Sequence, residues 1–190
     1  LAEVFYAAAG DEGAGFFAGY YNDDGATESR MRDGMYWSGD LAYRDEKGYV
    51  YMAGRSGDWL RVDGENMAAG IVEEILLRHP GISPVAVYGL PDPRGVGDQL
   101  AAAVVPRHDV DLTPDAFEEF LGAQPDLSTK AWPRWVRVSA TLPTTATNKI
   151  LKRELVREGV GGSGDTVEGV ADTWWEREER GTAYAVLAGA

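Results

Sequence analysis

The sequence predicts an α/β (α+β) fold: a small domain with a central sheet of about three strands flanked by helices, preceded by a β-rich segment. Three observations carry this. Residues 84–90, 99–105 and 135–138 are short runs of strand length, rich in apolar residues. Residues 71–78 and 117–121 place apolar side chains at helical spacing. Residues 36–43 and 49–53 are aromatic-rich and flank the turn signal Asp45-Glu46-Lys47-Gly48.

Taken in order, residues 1–9 are an apolar run with no start methionine, and Asn22-Asp23-Asp24-Gly25 is a polar turn. Thr27 to Met31 reads as one helical turn capped by Thr27. No complete core forms here, so residues 1–55 are expected to be the end of a larger β-rich domain. Gly54-Arg55-Ser56-Gly57-Asp58, followed by Asp63-Gly64-Glu65-Asn66, places three glycines where the chain can turn or swivel. The helix 71–78 ends at Pro80-Gly81, with His79 read as an end-of-helix residue favoured by the helix dipole. Thr113-Pro114-Asp115 opens a second helix, with Thr113 as N-cap and proline at the first helical position. Residues 125–133 connect to the third strand, and Lys152–Glu158 forms a last short helix. Residues 56–160 thus make a domain of roughly 105 residues, a common size. The glycine-rich stretch 159–165 is a linker, and 161–190 a tail whose Trp174-Trp175 pair is expected to dock on the body.

Composition narrows the chemistry. The absence of cysteine excludes disulfides, thiolate metal sites and a cysteine nucleophile. His79 and His108 are the only histidines, and no metal site is expected within this chain. No apolar run is long enough to span a membrane. The net charge of −13 argues against general nucleic-acid binding. Residues 1–66 carry thirteen acids and six bases. Between 130 and 157 the balance inverts: Lys130, Arg134, Arg137, Lys149, Lys152, Arg153 and Arg157 face only Glu154. A local basic segment in an acidic chain fits a small polyanion such as a nucleotide or coenzyme, although a solvated face is the commoner cause of a charge run.

Three stretches then carry specific chemistry. They are Tyr36-Trp37-Ser38-Gly39-Asp40, Gly54-Arg55 through Gly64-Glu65-Asn66, and Pro143 followed six residues later by Lys149 with Ile150 and Lys152-Arg153-Glu154-Leu155. In that order and spacing the chain resembles the adenylate-forming enzymes, which include acyl-CoA synthetases, peptide-synthetase adenylation domains and luciferases. Ser56-Gly57-Asp58 and Leu155-Val156-Arg157-Glu158-Gly159 look most like the fatty-acid-transport and very-long-chain acyl-CoA synthetase branch. The resemblance implies that a carboxylic acid, expected to be a fatty acid, is activated with ATP and Mg2+ to an acyl-adenylate and then transferred to coenzyme A.

On that resemblance Asp40 would bind the ribose hydroxyls and Arg55 the ribose or phosphate. Lys149 would bridge the attacking carboxylate and the α-phosphate, Gly57 and Asp58 would form a hinge, and Gly64, Glu65 and Asn66 would border the coenzyme A tunnel. A cation fixed where negative charge gathers stabilises a transition state most strongly in a dry site. The sequence departs from the family in three places: Gly57 stands where Asp or Lys is frequent, Ile71 replaces a common acid, and Asn148 stands where glycine is commonest.

The sequence holds no Ser/Thr/Gly-rich phosphate loop ending in Lys-Gly and no Tyr-Gly-x-Thr-Glu segment. The expectation is a C-terminal lid domain plus the last part of the large N-terminal domain. That N-terminal domain would be the missing partner, and the chain alone would be inactive. A cytoplasmic location follows, with peripheral membrane contact left open. Two other readings stay open at this point: an adenylation domain that loads a carrier protein, and a non-catalytic interaction module.

Overall fold

The computed structural model describes residues 2–7, 18–95, 97–108, 110–162, 172–178 and 181–188. The chain divides into two compact units, Leu1–Trp59 and Leu60–Ala190.

The first unit is organised on one long strand. β1 (Ala2–Ala7), a short helix α1 (Asp24–Arg30) and β2 (Met31–Arg32) precede β3 (Met35–Arg44), and β4 (Val50–Arg55) follows it. β3 pairs antiparallel with β1 on one edge, and with β2 and then β4 on the other. Asp23, not Thr27, caps α1: its carboxylate accepts the Ala26 N–H at 2.9 Å. Thr27 instead donates its hydroxyl to the Asp23 carbonyl and accepts the Tyr20 N–H. Asp45 closes the β3–β4 turn by accepting the N–H groups of Lys47 and Tyr49. The register shifts between Leu41 and Ala42, which leaves a bulge opposite, with Gly54 at φ 100°. Beyond that bulge Arg55 lies directly across from Asp40. A 3-10 turn, Ser56–Asp58, ends the unit.

The second unit is a sheet with both faces covered. A hairpin of β5 (Trp59–Val62) and β6 (Glu65–Ala68) leads into α2 (Ala69–Leu76). β7 (Ile82–Pro91) and β8 (Asp98–Pro106) form an antiparallel pair. α3 (Pro114–Gly122) is capped by Thr113 with proline in its first turn, as its sequence dictates. β9 (Trp135–Val138) then pairs parallel to β8. α4 (Lys152–Glu158) follows. The sheet does not stop at three strands. β10 (Thr173–Arg177) and β11 (Tyr184–Val186) extend it to five, in the order β11-β10-β9-β8-β7.

Alternation along the strands sorts the core into two clusters. Val85, Val87, Leu100, Ala102 and Val104 pack with Val72, Ile75 and Leu76 of α2 and Phe117 and Leu121 of α3. Ala86, Tyr88, Ala101 and Ala103 face the other way, onto Leu142 and Leu155 of α4. The unit is therefore three layers, helices on each side of one sheet.

The segment read as linker and tail thus contributes two strands to this sheet. Trp174 and Trp175 are almost fully buried, on opposite faces of β10. Residues 163–165 of the linker lie outside the described residues.

Candidate functional site

Asp40 and Arg55 meet in the first unit. Arg55 Nε donates to Asp40 Oδ1 at 3.1 Å across the β3–β4 pair. The sequence that leads to Asp40 is built around tight contacts. Ser38 Oγ donates to the Val4 carbonyl and accepts the Asp40 N–H, both at 3.0 Å. Gly39 has φ 79°, and a Cβ there would lie 2.4 Å from the Arg30 guanidinium. The positive φ is what favours glycine at 39, since the Arg30 guanidinium ends a flexible side chain that can move aside. The Ser-Gly-Asp triplet therefore holds one carboxylate, partly shielded, on the central strand of the sheet.

Gly57 and Asp58 lie in the 3-10 turn next to the boundary between the units. Gly57 does not adopt the left-handed region here, and a Cβ on it would meet nothing within 4 Å. Its glycine is thus not demanded by the conformation seen.

Gly64, Glu65 and Asn66 lie in the second unit, at the exposed tip of the β5–β6 hairpin. Asp63 (φ 49°) and Gly64 (φ 81°) form the two-residue turn, whose handedness favours Asp-Gly. Space around Gly64 is open, so its glycine answers to backbone angle and not to crowding. Glu65 pairs with Lys130 at 2.6 Å. A half-open cavity of about 210 Å³ beside the hairpin is lined by residues including Val62, Asp63, Arg94, Lys130 and Arg177. Lys149 does not line it.

Lys149 sits at the end of a miniature hairpin. Thr144 bridges to Ile150, Thr145 N donates to the Lys149 carbonyl at 2.8 Å, and Leu151 N donates to the Pro143 carbonyl at 2.8 Å. Thr145 Oγ1 accepts the N–H groups of Thr147 and Lys149. Asn148 takes φ 59°, which explains its position: where the turn needs a left-handed residue, asparagine is the usual substitute for glycine. The loop thus presents Lys149 from a backbone fixed by its own threonines.

Most cations of the basic segment are paired with carboxylates. Lys130 pairs with Glu65, Arg134 with Glu176, Arg137 with Glu158 and Asp172, Lys152 with Glu73, and Arg153 and Arg157 both with Glu154. The partners other than Glu154 come from distant parts of the chain, so spacing in sequence could not reveal them. Among the described residues Lys149 alone of the seven makes no carboxylate contact, and it is exposed. Among the described residues no group of three or more His, Asp or Glu side chains could hold a metal ion. No helix among them is long and apolar enough to cross a membrane.

His79 differs from its expected role. It is buried, packs edge-on against Phe120 with ring centroids 4.8 Å apart, and accepts the Gly81 N–H on Nδ1 at 3.0 Å. Burial lowers its pKa, so it is a neutral packing residue and not a cation at a helix end.

Residues 71–149 match the AMP-binding enzyme C-terminal domain. The chain is 55% identical over 148 residues to the medium/long-chain-fatty-acid–CoA ligase FadD17 of Mycobacterium tuberculosis, covering 78% of this chain and 29% of that protein. It is 54% identical over 143 residues to the steroid-22-oyl-CoA synthetase of Rhodococcus jostii, covering 75% and 26%. Among solved structures, o-succinylbenzoate CoA synthetase from Bacillus subtilis, in complex with its acyl-adenylate intermediate, superposes with a TM-score of 0.64. That match has 28% identity and covers 73% of this chain and 28% of that one. The chain therefore spans under a third of the length of the relatives it matches.

Proposed function

The chain belongs to the C-terminal portions of the adenylate-forming enzymes, among acyl-CoA ligases, and from that premise we propose that it completes a fatty acyl-CoA synthetase. In the first step an acid's carboxylate oxygen attacks the α-phosphorus of ATP and pyrophosphate leaves. In the second, the sulfur of coenzyme A attacks the acyl carbonyl and AMP leaves.

The observation that carries this reading is Lys149. Of seven cations in its segment it is the one, among the described residues, that no carboxylate neutralises, and its loop is internally braced. An ammonium held in that way is available to an oxygen of the α-phosphate and to an incoming carboxylate. Asp40, with Oδ1 held by Arg55, is suited to accept hydrogen bonds from a pair of vicinal hydroxyls, such as those of a ribose. Arg55 is more than half exposed and can turn toward the nucleotide. The exposed tip Gly64-Glu65-Asn66 suits the passage of a flexible pantetheine arm. Magnesium would travel with the phosphates of ATP. A cytoplasmic enzyme in peripheral contact with membrane-borne acids belongs to the same reading.

The test uses the whole protein that contains this chain. Lys149→Ala should slow adenylation, read as pyrophosphate exchange, by on the order of 10²–10³-fold. Thioester formation from pre-formed acyl-adenylate should be spared, because the charge acts only in the first transition state. An equal loss in both half-reactions would remove Lys149 from that role.

A further inference from the structure

We propose that Glu73 of α2 and Lys152 of α4 form the anchor that orients the Lys149 loop, which makes Glu73 a positioning residue for the reaction Lys149 serves. The inference rests on the reading of Lys149 given above, but its first measurement does not.

A single oxygen of Glu73 gathers two donors. Val87 N–H reaches Oε1 at 2.7 Å and Lys152 Nζ reaches the same atom at 2.9 Å. The first contact follows from topology. β7 is an edge strand, and Val87 pairs with Ala102 of β8 on its inner side. An edge strand leaves alternate N–H groups without a ladder partner, and those must be satisfied some other way. Glu73 supplies the acceptor for Val87 and is thereby fixed to the most buried sheet of the unit.

The second contact passes that fixity on. Lys152 is the first residue of α4, and Leu151 before it gives α4 no side-chain cap. Leu142 and Leu155 are buried, and Ile150 packs against the same cluster, so apolar contact sets the depth of the loop. Apolar contact is non-directional. The ion pair is a directional restraint at the point where the loop enters α4, three residues after Lys149. It is also unlike a typical surface pair: both side chains are about three-quarters shielded, at 26% and 23% exposure.

Two variants separate the parts. Glu73→Gln keeps an acceptor for Val87 and removes the charge. Lys152→Met removes the ammonium and keeps the stem. In the 190-residue chain, hydrogen exchange is read at the amides of Thr145, Asn148, Lys149 and Leu151, all bonded within the loop. Each variant should raise those four rates by about tenfold, with no further rise in the double variant and no change at Val85 or Val104 in the core strands. Unchanged loop exchange in both variants overturns the anchor. So does a rise spread evenly through β7 and β8, because that is loss of stability and not of position.

In the whole enzyme, Glu73→Gln should lower the turnover of adenylation on the order of tenfold with little change in KM. It should have no effect in a Lys149→Ala background. A full effect in that background overturns the route through Lys149. If the four amides respond but Lys149→Ala leaves adenylation intact, the anchor stands and the assigned chemistry of Lys149 falls.

Discussion

Gly81 donates its backbone N–H to Nδ1 of His79, and this contact fixes the protonation state of the ring: the acceptor nitrogen carries no proton, so a neutral imidazole holds its proton on Nε2. Phe120 covers the same ring, and desolvation lowers its pKa. The consequence for stability has a definite sign. The unfolded chain takes up a proton as pH falls through about 6.5, while the folded chain resists until its lower pKa. Over that interval the unfolded state binds more protons, so stability falls with pH. His79→Asn offers a carbonyl oxygen to the Gly81 N–H and does not titrate. Denaturant unfolding between pH 7.5 and 5 should therefore show a steeper loss for the parent than for the variant, and equal slopes would mean that His79 is already solvated. Spacing made His79 look like a helix-end cation because Pro80-Gly81 marks a stop, but burial depends on Phe120, some forty residues away. Asn148 was marked in the sequence only as a departure from the commoner glycine, although the reason for it is local. Its left-handed turn is a local requirement, and local requirements are written in the adjacent residues.

At the scale of elements, Thr113-Pro114 and the strands around 84–90, 99–105 and 135–138 were readable because caps and apolar runs are local. The 3-10 turn Ser56–Asp58 shows what a local pattern leaves undetermined. Its glycine is conspicuous, yet in the conformation seen Gly57 has neither a positive φ nor a crowded Cα. A glycine not needed in one state but needed in another is what a hinge requires. Gly57→Ala should accordingly leave the melting temperature unchanged. Gly57→Pro acts differently: proline pushes the residue before it, Ser56, away from helical angles and so works against the turn observed. If the turn belongs to only one stage of the cycle, Gly57→Pro should abolish one half-reaction and leave the other measurable. Measuring adenylation, thioester formation and melting temperature on the same variant decides this. Loss of both activities in step with a lower melting temperature would leave Gly57 as a turn residue and nothing more.

At the scale of the whole molecule, the feature least legible in the sequence is the way the last thirty residues complete the second unit. A half-buried strand announces itself by alternation. β10 has both faces buried at its centre, with Trp175 against Phe117 and Trp174 beside Arg137, so two adjacent tryptophans give no alternating pattern. The guanidinium of Arg137 is the joint. It is 1% exposed, pairs with Glu158 at the end of α4 and with Asp172 just before β10 at 2.6 Å, and shares Asp172 with Ser139. The two carboxylates hold its pKa up against the desolvation that opposes it. One cation thus ties α4, β9 and β10 together. Replacing a buried ion group entirely by apolar residues can be neutral, but removing one partner strands the others without compensation. Arg137→Met leaves Glu158 and Asp172 facing each other without their counter-ion and should cost about 3–5 kcal/mol of unfolding free energy. The release should be local before it is global. Trp174 lies within 5.8 Å of the guanidinium and donates its indole N–H to the Gly162 carbonyl, so its fluorescence should shift toward that of solvated tryptophan at denaturant concentrations where the rest of the sheet is intact. A variant that unfolds in one step, with less than about 1 kcal/mol lost, would show that apolar packing of β10 holds the five-stranded sheet without the ion cluster.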